Sequence, residues 1–320
     1  MPAVTEALSG KIAKGDFAQC DDSALIFLVD ASVYVFRAYH SMLPDMRDRD
    51  GNSMHAVFGF ARFLGDLIER VRPKYIAVAF DQRRSNSYRN RIYPAYKANR
   101  ERAPADLVLQ FERCRELCRR LGIAAFVDPE YEADDIIGTL ATRMREEGVR
   151  SAFITRDKDL AQLMRSGDLF WDFGARDQFG YHDIERHFGV QPECFADYLA
   201  LTGDEVDNIP GVPGIGHRTA ASLMKAFGSL DGLYADLERV ALLKLRGAGT
   251  LGARLSEHRE SVYLARRLTH IACDLQIGVA TEGLRRRAPD MPALSGFYDE
   301  LGFGPLLRRQ GERLAQLPAA

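Results

Sequence analysis

No stretch of this sequence approaches the roughly 20 uninterrupted apolar residues that a bilayer-spanning helix requires. The most apolar runs, around residues 24–36 and 75–80, are strand-length and soon meet charge, so the chain is expected to be soluble and to need no membrane. The first two dozen residues, Met1 to Ala24, have neither an apolar core segment nor an arginine-rich amphipathic pattern. They resemble neither a signal peptide nor a transit peptide, read as a loose tail, and leave the cytoplasm as the expected location. Cysteine is sparse: Cys20, Cys114, Cys118, Cys194 and Cys273 contain no C-x-x-C unit, which speaks against a zinc or redox centre and for reduced thiols. Low-complexity tracts and long-period repeats are missing too, which argues against a solenoid. A basic surplus is also missing. The net charge of −2 argues at face value against a nucleic-acid partner. Net charge hides distribution, however: much of the acid falls in short motifs that a divalent cation would neutralise, while arginine and lysine crowd into residues 83–120.

What the sequence does have is enough apolar material, 46% of 320 residues, for one large domain or two modest ones. Strand-length runs at Ala24–Val29, Tyr75–Phe80, Ile123–Val127 and Ala152–Ile154 alternate with helical periodicity over 54–71, 105–121 and 133–147. That alternation predicts an α/β fold with a mostly parallel sheet flanked by helices. Three strands end in an acid or lead straight into one: Val29-Asp30, Phe80-Asp81 and Ile154-Thr155-Arg156-Asp157. Ligands of open α/β sheets bind beyond the carboxyl ends of the strands, so these acids should converge there. After about residue 190 the texture changes to short helices broken by glycine and proline around Asn208–Gly216, which predicts a second, helical domain.

The densest chemical signal is Glu132-Ala133-Asp134-Asp135, opening a helix. A helix N-terminus favours each nearby charge by only about 0.3–1 kcal/mol, which explains one or two acids there and explains three poorly. Asp157-Lys158-Asp159 and Asp204-Glu205-Val206-Asp207 are further acidic clusters. Hard oxygen ligands at several strand ends suit Mg²⁺ or Mn²⁺, which keep waters and accept phosphate oxygens. So many carboxylates exceed the needs of one ion and fit two-metal hydrolysis. For Asp30 alone, a turn-forming aspartate serves as well as a ligand.

Several of these motifs together resemble the 5′-nuclease family of flap endonucleases, phage 5′-exonucleases and the N-terminal nuclease domain of bacterial DNA polymerase I. The carriers are Leu28-Val29-Asp30 with Phe36–His40, Ala79-Phe80-Asp81, Tyr131–Asp135, Thr155–Leu160 and Leu201-Thr202-Gly203-Asp204 through Gly216. The resemblance implies a resolvase-like (PIN-like) nuclease core over 24–190 after a tail at 1–23. It further implies a helical arch at about 83–120, a helix-two-turn-helix domain over 191–290 and a helical extension over 291–320. It places Asp30, Asp81, Glu132, Asp134 and Asp135 around a first metal, and Asp157, Asp159, Asp204 and Asp207 around a second. Arg89 and Lys97 become the residues steering the scissile phosphate. Arg83, Arg84, Tyr88, Arg91, Tyr93, Tyr96 and Arg100, which interleave cations with aromatics, become DNA contacts able to track phosphates and stack on bases. The alternative for that segment is an ordinary solvated helix with tyrosines tucked into a core. Gly211-Val212-Pro213-Gly214-Ile215-Gly216 puts a glycine turn before a helix N-terminus, where backbone amides can hold a phosphate. The resemblance adds K⁺ held by Gly211, Val212, Gly214 and Gly216, with duplex contacts from Gly214, Gly216, Arg218 and Lys225.

The expected activity is metal-dependent 5′-3′ exonuclease and flap-endonuclease cleavage of branched or 5′-ended DNA in replication or repair, including removal of 5′ flaps or RNA primers. A stand-alone, monomeric bacterial nuclease with a functional link to a DNA polymerase is expected. Two other readings remain open at this point: a non-catalytic branched-DNA-binding protein of the same fold, and an RNA-cleaving nuclease.

Overall fold

The computed structural model describes residues 25–82, 87–175 and 177–318. The expected tail, Arg83 and Arg84 lie outside the described residues. β1 (Leu25–Asp30) leads into α1 (Ala31–Ser41) and α2 (His55–Val71); β2 (Tyr75–Phe80) is followed by a short α3 (Tyr88–Ile92) and a long α4 (Ala105–Arg120). Then come β3 (Ala124–Val127), α5 (Ala133–Glu146), β4 (Arg150–Ile154), a 3₁₀ turn at Lys158–Leu163, β5 (Leu169–Asp172) and β6 (Asp177–Gly180). The strand order is β3-β2-β1-β4-β5-β6, and every pairing is parallel except β5 with β6. The chain leaves β1 for β2 on one side and returns to pair β4 on the other, so the order reverses beside β1. That reversal opens a crevice at the carboxyl ends of β1 and β4.

Strand alternation sorts the core into two layers. Ile26 and Leu28 of β1 pack with Ile136, Ile137 and Leu140 of α5, whereas Phe27 and Val29 face Phe60 and Leu64 of α2 and Leu117 of α4. The α5 layer continues without a break into a helical region: α6 (Tyr181–Phe188), α7 (Phe195–Thr202), α8 (His217–Phe227), α9 (Leu230–Ala235), α10 (Ala248–Glu257) and α11 (Arg259–Thr269). Leu199, Leu223, Leu251 and Leu268 are all buried in that shared core. The last two helices, α12 (Met291–Glu300) and α13 (Pro305–Ala315), return to the opposite layer, where Phe297, Leu301 and Leu307 are buried with the residues of α2 and α4.

One sequence expectation is corrected here. The span 83–120 is not a single arch, because α4 buries Leu107, Cys114, Leu117 and Cys118 in the core beneath the sheet. Its apolar face, spaced by three and four residues, obeys core packing. Among the described residues before α4, Ser87, Lys97 and Arg100 line the crevice.

Candidate active site

Asp30 ends β1 and caps α1: its Oδ1 accepts from the Ser32 amide at 3.0 Å, and its Oδ2 accepts from Thr155 Oγ1 at 3.1 Å. Asp81, just past β2, accepts from Ser32 Oγ at 2.8 Å and from the Ala133 amide at 2.8 Å. Asp157 follows β4 and accepts from the Asp159 amide at 3.0 Å. Asp134 projects from the first turn of α5 toward the same crevice. Strand ends and helix starts thus bring acids far apart in sequence into one ring.

The ring divides by electrostatics. On one flank the acids meet cations. Glu132 Oε2 lies 2.8 Å from Lys97 Nζ and 3.7 Å from the Arg89 guanidinium, and these cations hold its carboxyl below the usual range although burial opposes them. Asp204 Oδ2 accepts from Lys158 Nζ at 2.6 Å; burial would raise its carboxyl, but the Lys158 ammonium keeps it low. Asp207 pairs with Arg100 and stands 3.5 Å from Lys97 Nζ. On the other flank the acids meet mainly one another. Burial, then Asp81 and Asp157, push Asp30 up to about 7. Burial and the charges of Asp157, Asp30 and Asp81 hold Asp134 well above the carboxylate range, and burial with Asp157 does the same to Asp159. Asp159 Oδ1 is buried without a hydrogen-bond donor.

Such a cluster costs stability in the bare fold, since one like-charge neighbour already disfavours ionisation. A divalent cation relieves that repulsion, and the donor set is all hard oxygen. Among the described residues no three acids stand close enough to form a ready cage. An open ring suits an ion that keeps several waters and takes one or two carboxylates.

Two expected roles are corrected. Asp135 is fully buried, and both its oxygens are committed: Arg89 clamps them in a bidentate pair at 2.7 and 2.8 Å, and the amides of Glu132 and Ala272 add 3.0 and 2.9 Å bonds. Unlike its neighbour Asp134, it is held chiefly by a cation and serves to anchor Arg89. Arg89, only 2% exposed, gives two more N–H groups to the carbonyls of Leu268 and His270, so it is built into the fold rather than presented to a scissile phosphate. Tyr96 is corrected as well. It is 3% exposed, so its ring has no open face for a base, and its single hydroxyl hydrogen is shared between Glu132 Oε2 at 3.1 Å and Asp207 Oδ2 at 3.2 Å.

The rest of that segment is placed as follows. Tyr88 is half-buried with its ring 5.3 Å from that of Tyr131, Tyr93 packs partly against the core, and Arg91 is exposed and paired with Glu130. Lys97 and Arg100 line a cleft with Asp81, Ser87, Tyr131 and Glu132. Lys97 has a left-handed backbone, φ 54°, held by its amide on Asp207 O at 2.9 Å. Asn208 Nδ2 on Ala95 O at 2.7 Å and Asn99 Nδ2 on Glu205 O at 2.8 Å fasten the same two loops. Strain of this kind persists where surrounding contacts over-determine it. The sequence assigns no role to Lys158, Ser32 or Thr155, although Thr155 and Lys158 stand in one of the motifs that carry the resemblance.

The turn between α7 and α8 is built on close backbone approach. Gly203 has φ 74°, and a Cβ on Gly211 would lie 2.3 Å from Thr202 O. Gly214 is left-handed at φ 75° and Gly216 precedes α8. The helix start carries no side-chain cap and no acid in its first turn, with exposed Arg218 there instead. An uncapped amide end beside a cation is prepared for an anion. Lys225, also exposed, lies two turns on. The carbonyls of Val212 and Gly216 accept from Ile215 and Ala220 within the turn and helix. Gly211→Ala is expected to lower the thermal midpoint and weaken duplex binding, since overpacking against backbone costs about 1–3 kcal/mol; calorimetry and a duplex titration read both.

Residues 25–189 match the family model of the 5′-3′ exonuclease N-terminal resolvase-like domain, and 190–292 match that of the 5′-3′ exonuclease C-terminal SAM fold. The chain belongs to the 5′-3′ exonuclease family. Within that family, the 5′-3′ exonuclease of Aquifex aeolicus is 32% identical over 88% of this chain and 94% of its own length. DNA polymerase I of Rhizobium leguminosarum is 36% identical over 96% of this chain; the match covers 29% of that polymerase. The chain therefore spans about a third of the polymerase relatives it matches. The fold is also that of the bacteriophage T5 flap endonuclease, solved as a pseudo-enzyme–product complex with DNA and metal ions, at 18% identity, 92% of this chain, 98% of that chain and a TM-score of 0.62. Among the described residues no helix is long and apolar enough to cross a membrane.

Proposed function

We propose that the chain is a divalent-metal-dependent, structure-specific 5′-3′ nuclease that hydrolyses phosphodiester bonds of branched or 5′-ended DNA. The observation that carries this reading is the ring of mutually repelling carboxylates at the switch point, in a chain of the 5′-3′ exonuclease family. Asp30, Asp81, Glu132 and Asp134 would hold one ion, and Asp157, Asp159, Asp204 and Asp207 a second, with Mg²⁺ or Mn²⁺ fitting the all-oxygen set. When bound, such ions lower the pKa of water and neutralise charge on the scissile phosphate. Lys97 and Arg100, which line the cleft beside Asp81 and Glu132, would orient the phosphate. The Gly211–Gly216 turn and the start of α8, with Arg218 and Lys225, grip duplex through phosphates alone, and K⁺ on the carbonyls of Gly211, Val212, Gly214 and Gly216 would strengthen that grip. Recognition then follows DNA shape rather than base sequence. Removal of 5′ flaps or primers beside a DNA polymerase is the fitting cellular task.

Lys97→Ala is expected to lower single-turnover cleavage by about 10²–10³-fold with little change in binding, the scale set by loss of one charge-stabilising donor. A loss confined to affinity would remove Lys97 from the chemistry.

A pH test follows from the raised carboxyls. Asp30 has its folded value of about 7 above its ordinary 3.8, so the folded chain binds more protons than the unfolded one between those values. Without divalent ions, stability should therefore fall as pH rises through that window. Ions need the carboxylates ionised, so Mg²⁺ should raise the melting temperature more at pH 8 than at pH 5.5 and release protons on binding. Calorimetry in buffers of different ionisation enthalpy counts them; an Mg²⁺ effect independent of pH would contradict the assignment.

A further inference from the structure

Two hydroxyls join the acids into one hydrogen-bonded arc. From the α5 end, the Ala133 amide donates to Asp81, Ser32 Oγ donates to Asp81 at 2.8 Å, and the Ser32 amide donates to Asp30. Thr155 Oγ1 then donates to Asp30 Oδ2 at 3.1 Å while accepting from the Asp157 amide at 2.9 Å, and Asp157 accepts from the Asp159 amide. Each hydroxyl has one hydrogen to give, and each gives it to a carboxylate. Asp30 thereby has one oxygen tied to α1 and the other to the 155–159 loop.

We propose that Ser32 and Thr155 are positioning residues that fix the spacing between the two halves of the acidic ring, Asp30 and Asp81 on one side and Asp157 and Asp159 on the other. This rests on the metal-dependent reading above. The geometry favours this role over plain core filling. Thr155 is fully buried, a place where an apolar β-branched residue would pack as well, yet its hydroxyl bridges a strand-end acid to the backbone of another. Without Ser32 and Thr155, Asp30 and Asp81 would repel across the gap and swing to separate rotamers. The two ions would then face carboxylates at the wrong separation. Partners of this kind orient ligating carboxylates, and losing one commonly costs 10–100-fold in metal affinity or activity.

The test uses the full chain in three variants, Thr155→Val, Thr155→Ser and Ser32→Ala, with Mn²⁺ as probe. Free Mn²⁺ is followed by electron paramagnetic resonance, and flap cleavage is followed against Mg²⁺ concentration. Thr155→Val keeps the side-chain shape and should weaken at least one Mn²⁺ site by 10–100-fold, raise the half-saturating Mg²⁺ by a similar factor, and leave KM for DNA unchanged. Ser32→Ala should act in the same direction, and Thr155→Ser should restore wild-type values. Wild-type Mn²⁺ affinity in both Thr155→Val and Ser32→Ala, with only the melting temperature lowered, would overturn the proposal. Should Thr155→Val fail to fold, Ser32→Ala with the Thr155→Ser rescue decides alone. Absence of Mn²⁺ binding by the wild-type chain would instead strike the metal reading itself, and this role with it.

Discussion

Replacing Asp134 by asparagine should abolish flap cleavage, by about 10³-fold or more, while the melting temperature in the absence of divalent ions stays level or rises. In the fold this carboxyl meets burial and the charges of Asp157, Asp30 and Asp81, with Lys97 the opposing cation named among its influences. Neutralising it removes repulsion, so the bare protein loses nothing. An ion, however, loses a charged oxygen at the centre of the ring, and a tenfold rate loss needs only about 1.4 kcal/mol of transition-state stabilisation. Several kcal/mol rest on such an ion. Single-turnover cleavage with thermal unfolding reads both quantities, and a variant that is less stable yet cuts normally would show that Asp134 is structural.

Its neighbour should behave in the opposite way. Arg89→Ala is expected to destabilise the fold by about 3–5 kcal/mol, the cost of leaving a buried charge unpaired, with the melting temperature lower by roughly 10 °C. The stranded charge is Asp135, fully buried and bound to both terminal guanidinium nitrogens. Arg89 also holds Leu268 O and His270 O, so its loss loosens the end of α11 from the nuclease core. Burial lowers the guanidinium's preference for its charge, but the bonds to Asp135 and the charges of Asp135 and Glu132 outweigh it. The double variant Arg89→Met, Asp135→Leu should recover much of the loss, because no isolated charge remains. A double-mutant cycle by denaturant unfolding measures the coupling; additive effects would contradict a buried pair.

The contrast between Asp134 and Asp135 shows where the sequence stopped being legible. Strand-end acids could be read because a strand-end position fixes the side chain at one edge of the sheet, and the mostly parallel sheet itself followed from alternating apolar runs. Adjacent acids at a helix start are not so constrained. Successive helical residues point about 100° apart, so one of Asp134 and Asp135 faces the crevice while the other faces the core, and sequence alone does not say which. Arg89 and Tyr96 show the same limit: a motif gives residue types, whereas burial decides whether a side chain meets DNA or a neighbouring carboxylate. The extent of the arch failed for another reason. The cations of α4 carry the composition of a binding segment, but its buried stripe of Leu107, Cys114 and Leu117 follows core spacing. Ser32 and Thr155 left no compositional trace, because a hydroxyl among acids is unremarkable until both ends of its hydrogen bonds are known.

The most direct test of the central claim is cleavage of an end-labelled 5′-flap duplex at low salt, with Mg²⁺, Mn²⁺ or EDTA, by wild type, Asp134→Asn and Asp204→Asn. The account predicts metal-dependent cuts near the branch, lost in EDTA and in both variants, while all three proteins still bind the flap in Ca²⁺. Tight flap binding by the wild type without cleavage under either metal would contradict it and leave the acidic ring as part of a branched-DNA-binding module.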